Sequence, residues 1–208
     1  MTVVFLIRHS QPMRDHIGTN YGTDSDQIRN EKNILTPEGE KLAEELAQRE
    51  ELQNIDVLYT SNYVRAMSTA KYIAFNNDID LNIDARLGER KFGVEVKDLP
   101  KGYFLKQWTD FDYKETNGES INDTRTRITE VINEIVDNNK GKNICIVSHG
   151  TALSSYLLNH FELKIQGEEF HWFLNDEEVF NGFFNAPHMF KLVFDDNNNL
   201  IEFKNIGK

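Results

Sequence analysis

Cysteine is nearly absent. Cys145 stands alone among 208 residues, which excludes an internal disulfide and any cysteine-built zinc site. Proline and glycine are scarce as well, at 4 and 12, too few for collagen-like or low-complexity disorder. No Pro/Ser/Gly-rich linker and no internal repeat divides the chain. Cations are in deficit: 23 Lys and Arg against 34 Asp and Glu leave a net charge of −11. A field of that sign argues against nucleic acid or an anionic membrane surface as partner. A phosphate ligand would need its own local cluster of cations. Long hydrophobic runs are missing too. The apolar stretch at residues 3–7 ends at Arg8 and His9, is far too short to span a bilayer, and is not read as a signal peptide. The expectation is a single cytoplasmic domain over residues 1–208, its oligomeric state not legible.

What is present alternates. Residues 2–7 read as a buried strand. Thr36, Pro37 and Glu38 open a helix with a cap, a proline at the first helical position and an early acid. Residues 56–59 and 143–147 read as further strands, 80–83 as a short one. Helices are expected over 62–74, 119–138 and 151–158. Residues 189–194 and 200–203 read as a terminal hairpin. Strand and helix in alternation imply an α/β fold, a mostly parallel central sheet with helices on both faces.

Two strands end alike. Residues 3–7 run into Arg8-His9-Ser10, and residues 143–147 run into Ser148-His149-Gly150. In such sheets ligands bind beyond the carboxyl ends of strands, so the two histidines are expected in one crevice. The strand at 56–59 ends nearby at Thr60-Ser61, and Arg65 follows on the next helix. Arginines bind phosphate oxygens in bidentate fashion, and the helix start at Gly150 offers backbone N–H groups to an anion. The arginine charges favour a neutral His9 ring, able to attack phosphorus and form a phosphohistidine. The leaving alkoxide then needs a proton from a carboxylic acid.

The same residues fall into an ordered series: Phe5-Leu6-Ile7-Arg8-His9-Ser10, Leu35-Thr36-Pro37-Glu38-Gly39, Ser61 with Arg65-Ala66 and Thr69-Ala70, Leu87-Gly88-Glu89 with Phe92-Gly93, Gly118-Glu119-Ser120 with Arg127, and Ser148-His149-Gly150. The series, spanning residues 3 to about 160, resembles the histidine phosphatase superfamily, the phosphoglycerate-mutase-like proteins. The resemblance implies His9 as the phosphorylated nucleophile, with Arg8, Arg65 and His149 around the phosphate; the N–H groups at Gly150 add to that pocket from the helix start. It implies Glu89 as proton donor, the branch with Asp after the second histidine being disfavoured by Gly150. Specificity is expected from a small cap at about 90–117 and from the C-terminal third.

Several departures and alternatives stand beside this reading. Ser10 replaces a glycine, Pro12 a serine or threonine that touches substrate, and Asp15 an asparagine that holds phosphate. With the short segment between Glu89 and Gly118, Pro12 and Asp15 favour a phosphatase acting on a small phosphorylated substrate over a mutase. A non-catalytic phosphate-binding regulatory protein is the third possibility. No metal and no cofactor is called for, since no His-Glu-x-x-His spacing occurs. Glu95 and Asp98 lie near Glu89 in sequence and compete for its role. His16, His160, His171 and His188 read as ordinary residues, with His16 or His171 as candidate pocket liners. The aromatics Phe170, Trp172, Phe173, Phe180, Phe183 and Phe184 read as core or a helix-packing face, with a cleft wall or dimer contact as alternatives. Cys145 reads as inert, and Thr151 excludes the Cys-x5-Arg loop of cysteine phosphatases.

Overall fold

Val4 and Leu6 pack on one side of the first strand and Phe5 and Ile7 on the other. A strand alternates its side chains, so an unbroken apolar run demands cover on both faces. A computed structural model describes residues 1–13 and 24–207; Asp15 and His16 lie outside the described residues. In chain order the elements are β1 (Thr2–Arg8), α1 (Asp26–Lys32), α2 (Pro37–Ala47), β2 (Val57–Thr60), α3 (Val64–Asn77), β3 (Leu81–Ile83), α4 (Tyr103–Thr109), α5 (Ile121–Asn138), β4 (Asn143–Ser148), α6 (Gly150–Leu157), β5 (Glu162–Gln166), β6 (Glu169–Leu174), β7 (Glu177–Phe180), β8 (His188–Phe194) and β9 (Leu200–Asn205).

The main sheet runs β3-β2-β4-β1-β8-β9. Its first four strands are parallel, and β8 and β9 complete it as an antiparallel hairpin. One core joins Val4, Leu6, Ile144 and Ile146 to Ile128, Val131 and Ile132 of α5 and Leu153 of α6. The other joins Phe5, Ile7 and Val147 to Leu46 of α2 and Ala66, Ala70 and Ile73 of α3. Cys145 is buried in that second core, and burial pushes its thiol up. Among the described residues no helix is long and apolar enough to cross a membrane.

The register sets the site. Arg8 pairs with Ser148 and Thr60 with Val147, so β1, β4 and β2 end together. The His9 N–H donates to Ser148 (3.0 Å) and the Ser61 N–H to Val147 (3.1 Å), extending the ladders one residue past each strand.

The C-terminal third differs from the sequence expectation. Besides the hairpin it forms a three-stranded antiparallel sheet, β5-β6-β7. Phe170, Trp172, Phe173 and Phe180 are therefore strand residues; Trp172 and Phe180 join the core, and Phe170 and Trp172 pack on Trp108 of α4. The short helices α1 and α4 were also not anticipated. α1 buries no residue, so it carries no apolar stripe to read.

Candidate active site at the carboxyl ends of three strands

Arg8 and His9 leave the end of β1, Ser61 follows β2, Arg65 sits on the first turn of α3, and His149 links β4 to α6. The two imidazoles lie 5.1 Å apart between ring centres. Arg65 bridges them. Its Nε donates to His9 Nε2 at 2.9 Å and its Nη2 to His149 Nδ1 at 3.1 Å, and its Nη1 reaches the Asn30 carbonyl. The Arg8 Nη1 donates to the carbonyls of Phe184 (3.0 Å) and Asn185 (2.8 Å).

Carbonyl and guanidinium partners fix the proton on each ring. His9 Nδ1 lies 2.7 Å from the Ser10 carbonyl, which only accepts, so the ring donates there. Its Nε2 receives the Arg65 N–H and therefore carries the lone pair. In His149 the order is reversed. Nδ1 accepts from Arg65, and Nε2–H donates to Ser61 Oγ at 2.7 Å. Burial, reinforced by Arg65, His9, Arg127 and Arg8, holds the His149 imidazole well below the usual histidine range. Tyr63 packs at 4.6 Å from its ring and under the Arg65 guanidinium.

The loop carrying His9 is pinned from both sides. Ser10 N–H donates to Thr69 Oγ1 (2.9 Å), whose hydroxyl donates to the Arg65 carbonyl (2.8 Å). Ser10 Oγ donates to the Gly39 carbonyl at 2.7 Å, so the serine adds a tie that a glycine would lack. The Thr36 hydroxyl caps α2 through the Gly39 N–H, and a Cβ at Gly39 would collide with the Gln11 carbonyl. Two segments of the ordered series are thus explained by one close approach.

Glu89 reaches the same crevice. Its Oε1 accepts from the N–H groups of Arg90 (2.9 Å) and Ala152 (3.0 Å), and Oε2 from Thr151 (3.1 Å). The start of α6 therefore gives two of its N–H groups to Glu89, where the sequence reading had offered them to phosphate. Gly150, Arg8, His9, Arg65 and Glu89 line one open cleft of about 1500 Å³. His149 stands behind Arg65, wholly buried. Glu95 and Asp98 also line the cleft; Glu95 accepts from the Asp26 N–H and pairs with Arg29. His171 pairs with Glu178 at 3.0 Å. Among the described residues no group of three or more His, Cys, Asp or Glu gathers as metal ligands would.

A model of the histidine phosphatase superfamily, branch 1, matches residues 4–177. The chain belongs to that superfamily. A probable phosphoglycerate mutase GpmB from Cronobacter sakazakii is 28% identical over 162 residues, 74% of this chain and 72% of that protein. The phosphoglycerate mutase-like protein 4 of Arabidopsis thaliana is 31% identical over 133 residues, 58% of this chain and 57% of that protein. Among solved structures, a phosphoserine phosphatase from Entamoeba histolytica matches with a TM-score of 0.64 at 19% identity, covering 98% of this chain and 97% of its own. The mycobacterial glucosyl-3-phosphoglycerate phosphatase matches with a TM-score of 0.68 at 17% identity, covering 99% and 98%. At those identities the structures share the fold.

The Gly-Glu-Ser segment of this superfamily member acts on the approach to Glu89. Arg127 forks onto Glu119 (2.7 and 2.8 Å) and donates through Nη1 to the Gly88 carbonyl (3.1 Å). Glu119 in turn accepts from the Lys91 N–H (3.0 Å) and donates its own N–H to the Lys91 carbonyl (2.8 Å). The pair thus grips the backbone on both sides of Glu89. Sequence reading matched Glu119 and Arg127 to the series without a role; only their spacing on one helix start hinted at a pair.

His188 repeats the neutral arrangement one strand away. Its Nδ1 accepts from the Asn185 N–H (3.2 Å) and its Nε2–H donates to Asn205 (2.9 Å). Burial, with Arg8 nearby, pushes it down to about 4 against the opposing Asn205 bond. Its folded value lies below the unfolded one, so the unfolded chain binds the extra proton and stability falls as pH drops below about 6.5. Between pH 7 and pH 5, His188 alone is expected to remove about 2 kcal/mol. Urea unfolding of wild type and His188→Gln at both pH values checks this. The variant should show the shallower dependence, and equal slopes would refute it.

Proposed function

We propose that the protein is a phosphomonoester hydrolase working through phospho-His9, with Glu89 as proton donor and no metal. The observation that carries this reading is the fixed tautomer of His9. Its Nδ1–H is held by the Ser10 carbonyl and its Nε2 lone pair is presented to the Arg65 guanidinium. On binding, the phosphoryl oxygens take over N–H groups of Arg65 and Arg8 and release that lone pair. Nε2 attacks phosphorus, the P–O bond to the alcohol breaks, and the alkoxide takes the Glu89 proton. A water then attacks the phosphohistidine, gives its proton to the Glu89 carboxylate, and frees phosphate and the His9 lone pair. His149 keeps Arg65 in place, held through Ser61.

Hydrolysis of p-nitrophenyl phosphate in EDTA tests the scheme. Turnover that survives the chelator is expected, and loss that added metal restores would reject it. The relatives' names raise the mutase alternative. Conversion of 3-phosphoglycerate to 2-phosphoglycerate with 2,3-bisphosphoglycerate present, faster than phosphate release, would establish that reading instead. A protein that binds phosphate tightly and turns over neither substrate would be the regulatory alternative.

Glu89→Gln should cost about 100-fold on an alkyl phosphate and under about 10-fold on p-nitrophenyl phosphate, whose alcohol leaves unaided. Equal losses would remove Glu89 from the proton-donor role. Arg127→Met should show a leaving-group bias in the same direction but smaller, about threefold, because it loosens the Gly88 carbonyl. A loss independent of leaving group would make Arg127 merely structural.

A further inference from the structure

We propose that the alcohol half of the substrate is uncharged and carries a ring or similarly bulky apolar group, seated on an aromatic wall that begins at Arg8. The inference rests on the phosphomonoesterase reading and supplies the substrate class it leaves open. The rings form one unbroken series of contacts, joined at its middle by buried Phe180. Arg8 lies 5.8 Å from the ring centre of Phe184, and a Cβ at Gly150 would be 3.9 Å from that same ring. Phe184 thus stands at the phosphate end of the cleft. From it the contacts run to Phe180 (4.8 Å), Trp172 (5.3 Å), Trp108 (6.0 Å) and Phe170 (5.7 Å) between ring centres. Phe184, Trp172, Trp108 and Phe170 all line the cleft. Phe184, Trp108 and Phe170 keep part of their surface exposed. The wall brings together α4, β6 and the loop after β7, parts of the chain that share no sequence motif.

Charge points the same way. A second anionic group on the substrate would need cations beyond the phosphate cluster. Among the described residues the cleft offers Lys91 and Arg90 beyond the phosphate cluster, and sets Asp98, with Asp26 and Glu95 paired to Arg29, against them. Arg90 is engaged elsewhere. It donates to the Tyr103 hydroxyl (2.7 Å) and the Glu119 carbonyl (3.1 Å), and lies against the rings of Phe92 (4.9 Å) and Tyr103 (5.2 Å). A carboxylate on the leaving alcohol meets like charge at the mouth, whereas a ring gains apolar burial and offset stacking.

Three alkyl phosphates with similar leaving alcohols separate recognition from chemistry: propyl phosphate, 3-phenylpropyl phosphate and 3-phosphoglycerate. The 3-phenylpropyl ester is expected to exceed propyl phosphate at least about tenfold in kcat/KM, mostly through KM. Trp108→Ala should cut that ratio severalfold. A ratio near one in wild type, or 3-phosphoglycerate as the best of the three, would overturn the inference. Calorimetry with the matching phosphonates, 3-phenylpropylphosphonate against propylphosphonate, reads the same preference without turnover. An inactive protein that still binds the phenyl compound about tenfold tighter would fail the hydrolase reading and keep this one. Equal binding of the two would overturn the inference whatever the activity.

Discussion

His9→Ala is expected to lower kcat for p-nitrophenyl phosphate by more than about a thousandfold, the scale on which loss of a nucleophile acts. The reason is local. The ring is held at Nδ1 by the Ser10 carbonyl and at Nε2 by Arg65, so its lone pair is fixed in the cleft, whereas the lone pair of His149 is wholly buried behind Arg65. The imidazole is buried, and removing it leaves the Ser10 carbonyl without its side-chain donor, costing about 1–2 kcal/mol of stability. His9→Asn guards against a folding artefact, since its amide can still donate to that carbonyl. Both variants should unfold cooperatively and both should be inactive. Turnover within tenfold of wild type in either would eliminate His9 as nucleophile.

Arg65→Lys comes next in size, with an expected loss of about 100-fold or more in kcat/KM. Lysine keeps the charge and loses the planar fork. Arg65 uses Nε for His9, Nη2 for His149 and Nη1 for the Asn30 carbonyl, a set that one ammonium cannot satisfy from one position. The substitution therefore unfixes the His9 lone pair and the His149 ring together. Comparison with Arg8→Lys separates binding from positioning. Arg8 donates to the carbonyls of the loop at Phe184 and Asn185, so its loss should fall mainly on KM. Arg65→Lys should fall on kcat as well. If Arg65→Lys raised KM alone, its bridging role would be wrong.

The middle of the sheet was legible because β1 and β4 are buried on both faces and carry no polar interruption within their apolar runs. The ends of β1, β2 and β4 were legible for the same reason: Arg8, Ser61 and Ser148 stop apolar runs that register then aligns. Boundaries moved by one to three residues, as with α3, which continues to Asn77 and ends on Asp78 in a left-handed turn (φ 52°). The antiparallel sheet of β5 to β7 was missed because its sequence is amphipathic in a way that serves two neighbours. Trp172 faces Trp108 and Phe180, while Phe173 lies against the ammonium of Lys164. Neither alternation nor helical spacing stands out when both faces carry rings. Within the site, His9, His149, Arg8, Arg65 and Glu89 were readable as residue types at strand ends. The partners that set their chemistry were not. Ser10, Asn30 and Asn185 contribute backbone carbonyls, and every residue has one, so sequence cannot mark them. Ser61 stood at a strand end and in the ordered series without a role, and its bond to His149 spans 88 positions. The destination of Glu89 at the start of α6 likewise depends on two backbone N–H groups.

The most direct test is chemical. Purified protein is mixed with p-nitrophenyl [32P]phosphate, quenched in denaturant within milliseconds, and digested, and the labelled peptide is sequenced. A good leaving alcohol makes the second displacement the slow step, so the phosphoenzyme accumulates. The expected result is an acid-labile, base-stable label on the peptide containing His9, absent from His9→Ala. Label on another residue, or steady turnover with no label at any quench time, would contradict the account.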